Sequence, residues 1–335
     1  MKAFVTGASG FIGSNLVREL VAQGHRVKAL LRPDSDERGL AGVEFGRVTG
    51  DVLDRKLLER EIEGCDWCFH VAASYRLWMR NYAPMYAVNV EGTRNVLEAA
   101  GKVGCRRIVY TSTVGCVGLP KMVKGQFTPT TELDTISNEQ LMNHYKCSKW
   151  QAECLAVKHV HNGLPVIIVN PTAPIGPRDA KPTPTGQVIV DFLNRKLPAY
   201  LDTGLNWVHV HDVVVGHIRA AETGEIGERY ILGNREGNWT MQETLAALEE
   251  ITGVRAPKRK IPYRLALAAA HVDEMISFFT GKPPRTPLAG VRMAQYKMWF
   301  NPAKAIRVLQ LPQTPPKQAL ADAVEWFRAN GYVKK

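Results

Sequence analysis

Tyr145 and Lys149 stand four residues apart in the segment HYKCSKW. On a helix this spacing puts both side chains on one face. A lysine beside a tyrosine favours the phenolate form, which suits the tyrosine to general acid/base chemistry. The same spacing also occurs by chance on amphipathic helices, so a catalytic interpretation needs support from the rest of the chain.

A glycine-rich turn near the N-terminus gives the first support. The segment TGASGFIGS places Gly7, Gly10 and Gly13 directly after an apolar strand pattern and at the start of a helical one. In that context the glycines allow a tight turn, close approach to a pyrophosphate, and close packing of helix on strand. The pattern predicts a dinucleotide whose phosphates face a helix N-terminus. The alternative is an ordinary glycine-rich turn.

The end of the second predicted strand bears on the choice of dinucleotide. A site that prefers NAD carries Asp or Glu there, but the chain reads ALLRPDSDER, with Arg32 in that neighbourhood. A guanidinium suits a 2′-phosphate, so NADP is preferred over NAD. The alternative is that Arg32 is a solvated loop charge. Asp51 and Val52, in GDVLD, are expected beside the adenine.

Alternating apolar and amphipathic segments predict the elements that position these residues. Strands are predicted at 2–7, 25–32, 65–73, 106–113 and 165–171, and helices at 11–24, 54–63, 83–104 and 137–160. This alternation predicts an α/β fold, a Rossmann doubly wound parallel sheet. Ligands of such sheets lie outside the carboxyl ends of the strands. Ser112 or Thr113, at the end of YTST, therefore projects toward the crevice that the Tyr145 helix borders.

The pattern changes after residue 170. The segment 170–186 holds five prolines, which a buried regular element does not tolerate. A strand-like run at 205–221 is expected to return the chain to the sheet, and Thr240 with Glu243 forms a capping box for a helix over 240–253. We expect an NAD(P)-binding Rossmann domain at 1–170 with a returning segment near 205–221. A smaller, interleaved C-terminal substrate domain is expected at 171–204 and 222–335.

Composition narrows the classes of partner. The net charge is +11, but the basic residues are dispersed and follow no zinc-finger or RNA-binding pattern, so a small-molecule substrate and no nucleic acid are expected. No apolar run is long enough for an integral membrane segment, although peripheral membrane contact stays open. The N-terminus lacks a signal-peptide pattern, and we expect a cytoplasmic protein. No metal is expected at His209 and His211, and the Cys65–Cys68 pair is expected to be buried thiols.

Together these motifs resemble the extended short-chain dehydrogenase/reductase family, the NAD-dependent epimerase/dehydratase family. The resemblance is carried by TGASGFIG, GD at 50–51, HVAA at 70–73, NVEGT at 89–93, YTST, YKCSK and NP at 170–171, in the family's order. Longer stretches, such as VIIVNPTAPIGPRDAKPTPTG, resemble the hopanoid-associated sugar epimerases, which are related to dihydroflavonol 4-reductase. The V-Y-G that commonly follows the family's catalytic hydroxyl is replaced here by VGCVG.

The resemblance implies specific roles. Tyr145 is the general acid/base, Lys149 stabilises its phenolate, and Thr113 orients the substrate oxygen, with Ser112 in reserve. The implied cofactor contacts are Gly7, Gly10, Phe11, Ile12, Gly13, Arg32, Asp51, Val52, Ala72, Ala73, Asn89, Thr111, Tyr145, Lys149 and Pro171. Family members usually pair through two long helices, here 83–104 and 137–160, which implies a homodimer.

The expected reaction is reversible hydride transfer between NADP or NAD and a secondary alcohol or ketone of a sugar-like or hopanoid-linked polyol. A carbonyl reductase that resembles dihydroflavonol reductase is the alternative, and a non-catalytic NADP-sensing regulator is an alternative of another class. Tyr75, Arg76 and Trp78 follow the carboxyl end of a predicted strand, where a substrate would rest.

Overall fold

The computed structural model describes residues 1–123 and 126–334. Its strands, in chain order, are β1 (Lys2–Thr6), β2 (Arg26–Leu31), β3 (Gly46–Thr49), β4 (Trp67–His70), β5 (Arg107–Thr111), β6 (Lys121–Val123), β7 (Gln126–Thr128), β8 (Val166–Pro171), β9 (Ala173–Ile175), β10 (Gly204–His209), β11 (Arg229–Leu232), β12 (Asn238–Thr240) and β13 (Lys297–Met298). The apolar, β-branched stretches of the first half form its buried strands, as expected for a parallel sheet covered on both faces.

The helices follow the amphipathic segments. They are α1 (Phe11–Ala22), α2 (Arg55–Ile62), α3 (Ala83–Tyr86), α4 (Gly92–Lys102), α5 (His144–His161), α6 (Pro184–Leu193), α7 (Val210–Thr223), α8 (Met241–Thr252), α9 (Tyr263–Thr280), α10 (Leu288–Met293), α11 (Ala303–Val308) and α12 (Pro316–Ala329). A π-helical turn, Ala87–Glu91, joins α3 to α4, so the predicted helix at 83–104 is continuous but locally widened.

Among the described residues, seven parallel strands form the large sheet in the order β11-β8-β5-β4-β1-β2-β3. The chain moves outward from β1 through β3 and then crosses to β4 on the other side of β1, which creates the switch point of a doubly wound sheet. Helices α1 and α7 pack on one face, while α2, α4 and α5 pack on the other. The predicted Rossmann fold is confirmed.

A smaller sheet joins β12, β10 and β13, with β9 also paired to β10. Trp207 on β10 packs with Leu245 of α8 and Phe327 of α12 in its core. This second layer is built from residues after 170, at the end of the large sheet where β8 finishes.

Two sequence expectations need correction. The run at 205–221 is a strand only to His209, and that strand joins the smaller sheet; β11 is the strand that returns to the large sheet, beside β8. Residues 210–223 are helical because His209 caps them, its Nδ1 accepting the His211 backbone N–H at 3.0 Å. The helix predicted from 137 begins at His144, where the Asn143 side chain accepts the Lys146 N–H at 2.9 Å.

Candidate active site

A cleft of about 940 Å³ opens at the carboxyl ends of the large sheet, between that sheet and the smaller one. Its size is typical of a cofactor and substrate site. Most of the residues singled out from the sequence line it: Gly7, Gly10, Phe11, Ile12, Gly13, Arg32, Asp51, Val52, Ala72, Ala73, Tyr75, Arg76, Thr111, Ser112, Thr113, Tyr145, Lys149 and Pro171. Asn89 and Trp78 lie outside this wall.

The glycine loop is shaped for the close approach of a phosphate. Gly7 has a φ of 69°, and a Cβ there would lie 2.6 Å from the Ala72 nitrogen. A Cβ on Gly13 would lie 2.1 Å from the Gly7 carbonyl oxygen, so only glycine lets α1 start against β1. The N-terminus of α1 therefore faces the cleft with its free backbone N–H groups. This cradle fits the pyrophosphate of a dinucleotide.

Charged side chains surround the end of the cleft beyond β2. Arg32 is exposed, and its backbone N–H donates to Ser35 Oγ at 3.0 Å. Asp36 is engaged elsewhere, because the Arg38 guanidinium binds both of its carboxylate oxygens and lowers the pKa of that carboxyl. Arg32 therefore presents a positive charge to an anion at this end, where Lys181 also lines the cleft.

The other end of the cleft gathers the hydroxyl and amine groups. The helix α5 carries Tyr145 and Lys149 to the end of β5, where Thr113 follows. The Lys149 ammonium donates to the Thr111 carbonyl at 2.8 Å and lies 4.5 Å from the centre of the Tyr110 ring. Lys149 is buried, and burial lowers its pKa to about 8. The spacing that the sequence presents thus becomes one wall of the cleft.

Thr113 and Ser112 differ in their surroundings. The Thr113 Oγ1 accepts the Gly115 N–H at 3.2 Å, which leaves its own proton free to point into the cleft. The Ser112 Oγ is buried and has no hydrogen-bond partner among the described residues. Thr113 is therefore the hydroxyl better oriented by the chain itself.

We expected Lys149 to lower the pKa of Tyr145, but the residues around the phenol raise it. Burial raises the pKa of the phenol above its ordinary value, and the neighbouring Tyr75 acts in the same direction. The Thr113 side chain opposes them by lowering it. Lys149 is directed at the Thr111 carbonyl rather than at the phenol, so the neutral form of Tyr145 is favoured.

Asn89 braces the site from behind. Its side-chain oxygen accepts the Ser74 N–H at 2.7 Å, and its amide donates to the Ser74 carbonyl and to Ser148 Oγ. Ser148 lies on α5 between Tyr145 and Lys149. A single buried amide therefore ties the loop after β4 to the helix that carries the tyrosine.

Several residues of the cleft were not recognised from the sequence. Lys146 is buried beside Tyr145 on the cleft wall, burial lowers its pKa to about 8, and no described residue forms a hydrogen bond with its ammonium. An apolar group comes from the second layer, namely Leu205, Met293, Met298 and Phe300. The proline-rich segment adds Lys181, Pro182 and Thr183. In the sequence, the only indication that the proline-rich segment lines the cleft was that its prolines interrupt regular secondary structure.

The remaining sequence candidates lie away from the cleft. Cys65 and Cys68 are buried free thiols, as expected, and burial raises the pKa of both. Within the described part of the chain, no group of three or more His, Cys, Asp or Glu residues could hold a metal ion. No helix in residues 1–123 and 126–334 is long and apolar enough to cross a bilayer.

Comparison with known proteins places this architecture. The family model described as NAD dependent epimerase/dehydratase matches residues 3–233. A dihydroflavonol 4-reductase-like protein of Synechocystis is 45% identical over 99% of this chain and 96% of its own length. Sterol demethylase protein B of Methylococcus capsulatus is 33% identical over 99% of this chain and 100% of its own.

A solved structure agrees along the whole chain. The crystal structure of gox2253 superposes with a TM-score of 0.86 at 40% identity and covers 99% of both chains. The family match and these relatives agree with the Rossmann fold of the chain. The chain is an enzyme that belongs to the NAD dependent epimerase/dehydratase family.

Proposed function

We propose that the protein is an NADP-preferring oxidoreductase or epimerase that transfers hydride reversibly at a secondary alcohol or ketone. One observation carries the proposal: Thr113, Tyr145 and Lys149 meet at one end of a cleft whose other end is the glycine cradle. A dinucleotide held by the glycine cradle would supply or accept the hydride. The rest of the chemistry falls to the side chains of this chain.

Those side chains move one proton and orient one oxygen. Thr113 donates a hydrogen bond to the substrate oxygen and keeps its proton, because its Oγ1 is already held by the Gly115 N–H. Tyr145 gives a proton to that oxygen during reduction and takes it back during oxidation. Lys149, held by the Thr111 carbonyl, supplies a nearby positive charge that stabilises the phenolate during oxidation.

Preference for NADP rests on Arg32. Its guanidinium is exposed at the end of β2, while the nearby Asp36 carboxylate is neutralised by Arg38. A 2′-phosphate therefore meets an available cation and a hydroxyl, Ser35, at this position. Asp34, which is exposed at the same end of the cleft, is the carboxylate that would favour NAD if it bound the ribose hydroxyls.

The substrate end of the cleft suits an amphiphilic molecule. The Lys146 ammonium suits hydroxyls or an anionic group of the substrate, and Met293, Met298 and Phe300 suit its apolar part. A hopanoid-linked polyol meets both requirements. The Methylococcus relative's name refers to sterols, which are also fused-ring lipids, and this supports a substrate of that kind.

A second candidate is a carbonyl reductase that releases its alcohol product. The Synechocystis relative's name favours it. The two candidates share every proton-transfer step. In the epimerase the keto intermediate rotates within the cleft and is reduced on its other face, whereas in the reductase the product leaves.

We also propose a domain division at residue 170, in which α7 and β11 return to the large sheet and the smaller domain is built from other residues after 170. A cytoplasmic location and a homodimer through α3–α4 and α5 complete the proposal. Cys154 and Val157 are exposed on α5, which leaves part of that helix available for a partner. The mass in solution of a Val157→Glu variant tests the dimer, which the substitution is expected to dissociate.

Cofactor stoichiometry tests the activity. Purified protein is incubated with NADP(H) and a panel of polyols, ketones and fused-ring lipid alcohols. Net reduction consumes one NADPH per product, whereas epimerisation changes the substrate without net loss of cofactor. Tyr145→Phe is expected to lower kcat by about 10²–10⁴-fold with cofactor affinity retained.

The matched control is Tyr296→Phe, which removes a phenolic hydroxyl away from the cleft wall. If Tyr145→Phe turned over substrate as fast as this control, the assignment of Tyr145 would be wrong.

A further inference from the structure

The helix α9 carries an apolar face that no other described element covers. Its exposed residues recur every three or four positions: Leu265, Ala268, Ala269, Val272, Met275, Ile276 and Phe279, with Phe278 beside the last. Val272 is 52% exposed and Phe279 is 78% exposed. Leaving so many large apolar side chains of one helix in water is unfavourable, and such a patch typically marks an interaction surface. We refer to these eight residues as the α9 stripe.

The opposite face of α9 explains the orientation of the helix. Ala266 and Ala270 pack against Val291 of α10. The two carboxylates of α9 also turn this way: Asp273 Oδ2 accepts the Thr286 N–H at 2.7 Å, and Glu274 Oε1 accepts the Leu288 N–H at 2.8 Å. The α9 stripe itself therefore contains no acidic residue.

Cationic side chains lie at both ends of the stripe. Lys258, Arg259, Lys260 and Arg264 stand at its N-terminal end, and Lys282 and Arg285 follow its C-terminal end; all are exposed. Lys260 forms an ion pair with Asp202, which is itself exposed. The whole chain carries a net charge of +11, so these clusters belong to a protein with an excess of positive charge.

We propose that the α9 stripe and its flanking cations form a docking surface for an anionic lipid bilayer. An apolar face bordered by lysine and arginine is the arrangement by which a helix lies in the interface, with its apolar side among the acyl chains and its cations at the head groups. The 18 residues of α9 span about 27 Å, and the helix does not meet the requirements for crossing a bilayer. It would lie parallel to the membrane plane.

Charge argues against a second copy of this chain as the occupant. Two copies that met through the α9 stripe would be related by a two-fold axis, which brings the cationic ends of one copy near those of the other. Like charges held together oppose association, whereas anionic head groups complement all six cations.

The docking surface is joined to the catalytic cleft. The Arg80 guanidinium donates to the Phe278 carbonyl at 3.0 Å, and the same loop carries Tyr75, which packs on Tyr145. Met293, in α10 beneath α9, lines the substrate end of the cleft. A membrane at the α9 stripe would therefore lie next to the part of the cleft that receives the substrate.

Vesicle co-sedimentation tests the proposal without any turnover, so its outcome is independent of the proposed function. Full-length protein is mixed with vesicles of phosphatidylcholine alone or with 30% phosphatidylglycerol, a fraction chosen at roughly the anionic content of charged membranes. The wild type is expected to sediment with the anionic vesicles and to remain in solution with the neutral ones. An Ile276→Glu/Phe279→Glu variant is expected to lose about tenfold or more in apparent affinity, because two apolar side chains that would enter the bilayer become anionic.

Two further variants sharpen the result. Lys282→Gln/Arg285→Gln is expected to weaken sedimentation about fivefold or more and to reduce its sensitivity to salt. Leu133→Glu is the matched control, since Leu133 is 93% exposed and distant in sequence from α9, and it should sediment like the wild type. Melting temperatures within about 3 °C of the wild type show that the variants fold.

Equal sedimentation of wild type and Ile276→Glu/Phe279→Glu, or no sedimentation of either, would overturn the proposal. A vesicle-free dimer that only the Ile276→Glu/Phe279→Glu variant dissociates would assign the stripe to a second copy of the chain. That result would overturn it as well.

Discussion

The ring of Tyr75 packs on the ring of Tyr145, with centroids 4.3 Å apart and an interplanar angle of 48°. The contact joins the loop after β4 to the helix that carries the proposed proton donor. Burial and Tyr75 together raise the pKa of Tyr145, so the loop influences the acid/base residue directly. Asn89 holds the same loop against the same helix through Ser74 and Ser148.

Replacing Tyr75 with alanine should lower the pKa of Tyr145, because water would reach the phenol. A lower pKa keeps the phenolate to more acidic pH, and alcohol oxidation requires the phenolate. The acidic limb of the pH profile of kcat for oxidation should therefore move to lower pH, by about one pH unit or more. The profile is measured with saturating cofactor and substrate.

Tyr75→Phe is the matched variant. It keeps the apolar ring over Tyr145 and removes only the second phenol, so its limb should move less than that of Tyr75→Ala. An unchanged profile in Tyr75→Ala would show that the loop does not control the phenol.

Removing the charge of Arg32 should weaken the binding of NADP but not the binding of NAD. Arg32→Ala is expected to weaken NADP binding about 10–100-fold, the effect of losing a charge-assisted hydrogen bond, and to leave NAD binding nearly unchanged. Isothermal titration with each dinucleotide measures both values. Arg60→Ala, at another exposed arginine, controls for the loss of one positive charge. Equal weakening of both cofactors would contradict a contact between Arg32 and the 2′-phosphate.

Lys146 should act on the substrate rather than on the cofactor. Lys146→Met keeps the buried alkyl chain and removes the ammonium, so KM for the substrate should rise about tenfold or more while cofactor affinity is retained. Because the pKa of Lys146 is lowered to about 8, wild-type KM should also rise as the pH passes 8. A Lys146→Met variant with unchanged KM would exclude the contact.

Asp179 should make the protein less stable as the pH rises. Its carboxylate accepts the Thr183 N–H and hydroxyl, yet burial raises its pKa from 3.8 to about 6. Between these values the folded state binds more protons than the unfolded state, so the contribution of Asp179 to stability falls as the pH rises and is lowest above 6.

Urea unfolding at pH 5 and pH 7.5 measures this effect. From the lower to the higher pH, the wild type should lose about 1–2 kcal/mol of unfolding free energy relative to Asp179→Asn, which does not titrate. Glu44→Gln, at an exposed carboxylate, should follow the wild type. Parallel pH dependence in wild type and Asp179→Asn would mean that Asp179 is not the group responsible.

The local sequence determined much of the fold and of the cofactor cradle. Gly13 is required by a contact within one β–α unit, the positive φ of Gly7 is a property of its own turn, and Thr240 with Glu243 caps α8 within one turn. Strand–helix alternation predicts the parallel sheet because each segment's burial pattern is visible in its own residues. The error at 205–221 has the same origin, since a valine-rich run fits a buried strand and a buried helix equally well.

Tertiary structure alone decided the environment of each functional group. The sequence places Lys149 near Tyr145, but the Thr111 carbonyl that holds its ammonium comes from another strand. Lys146 is buried only because segments distant in the sequence fold over it. The α9 stripe is the clearest case. Its periodicity is that of any amphipathic helix, and which face packs on the protein depends on α10, whose residues lie outside the helix and its pattern.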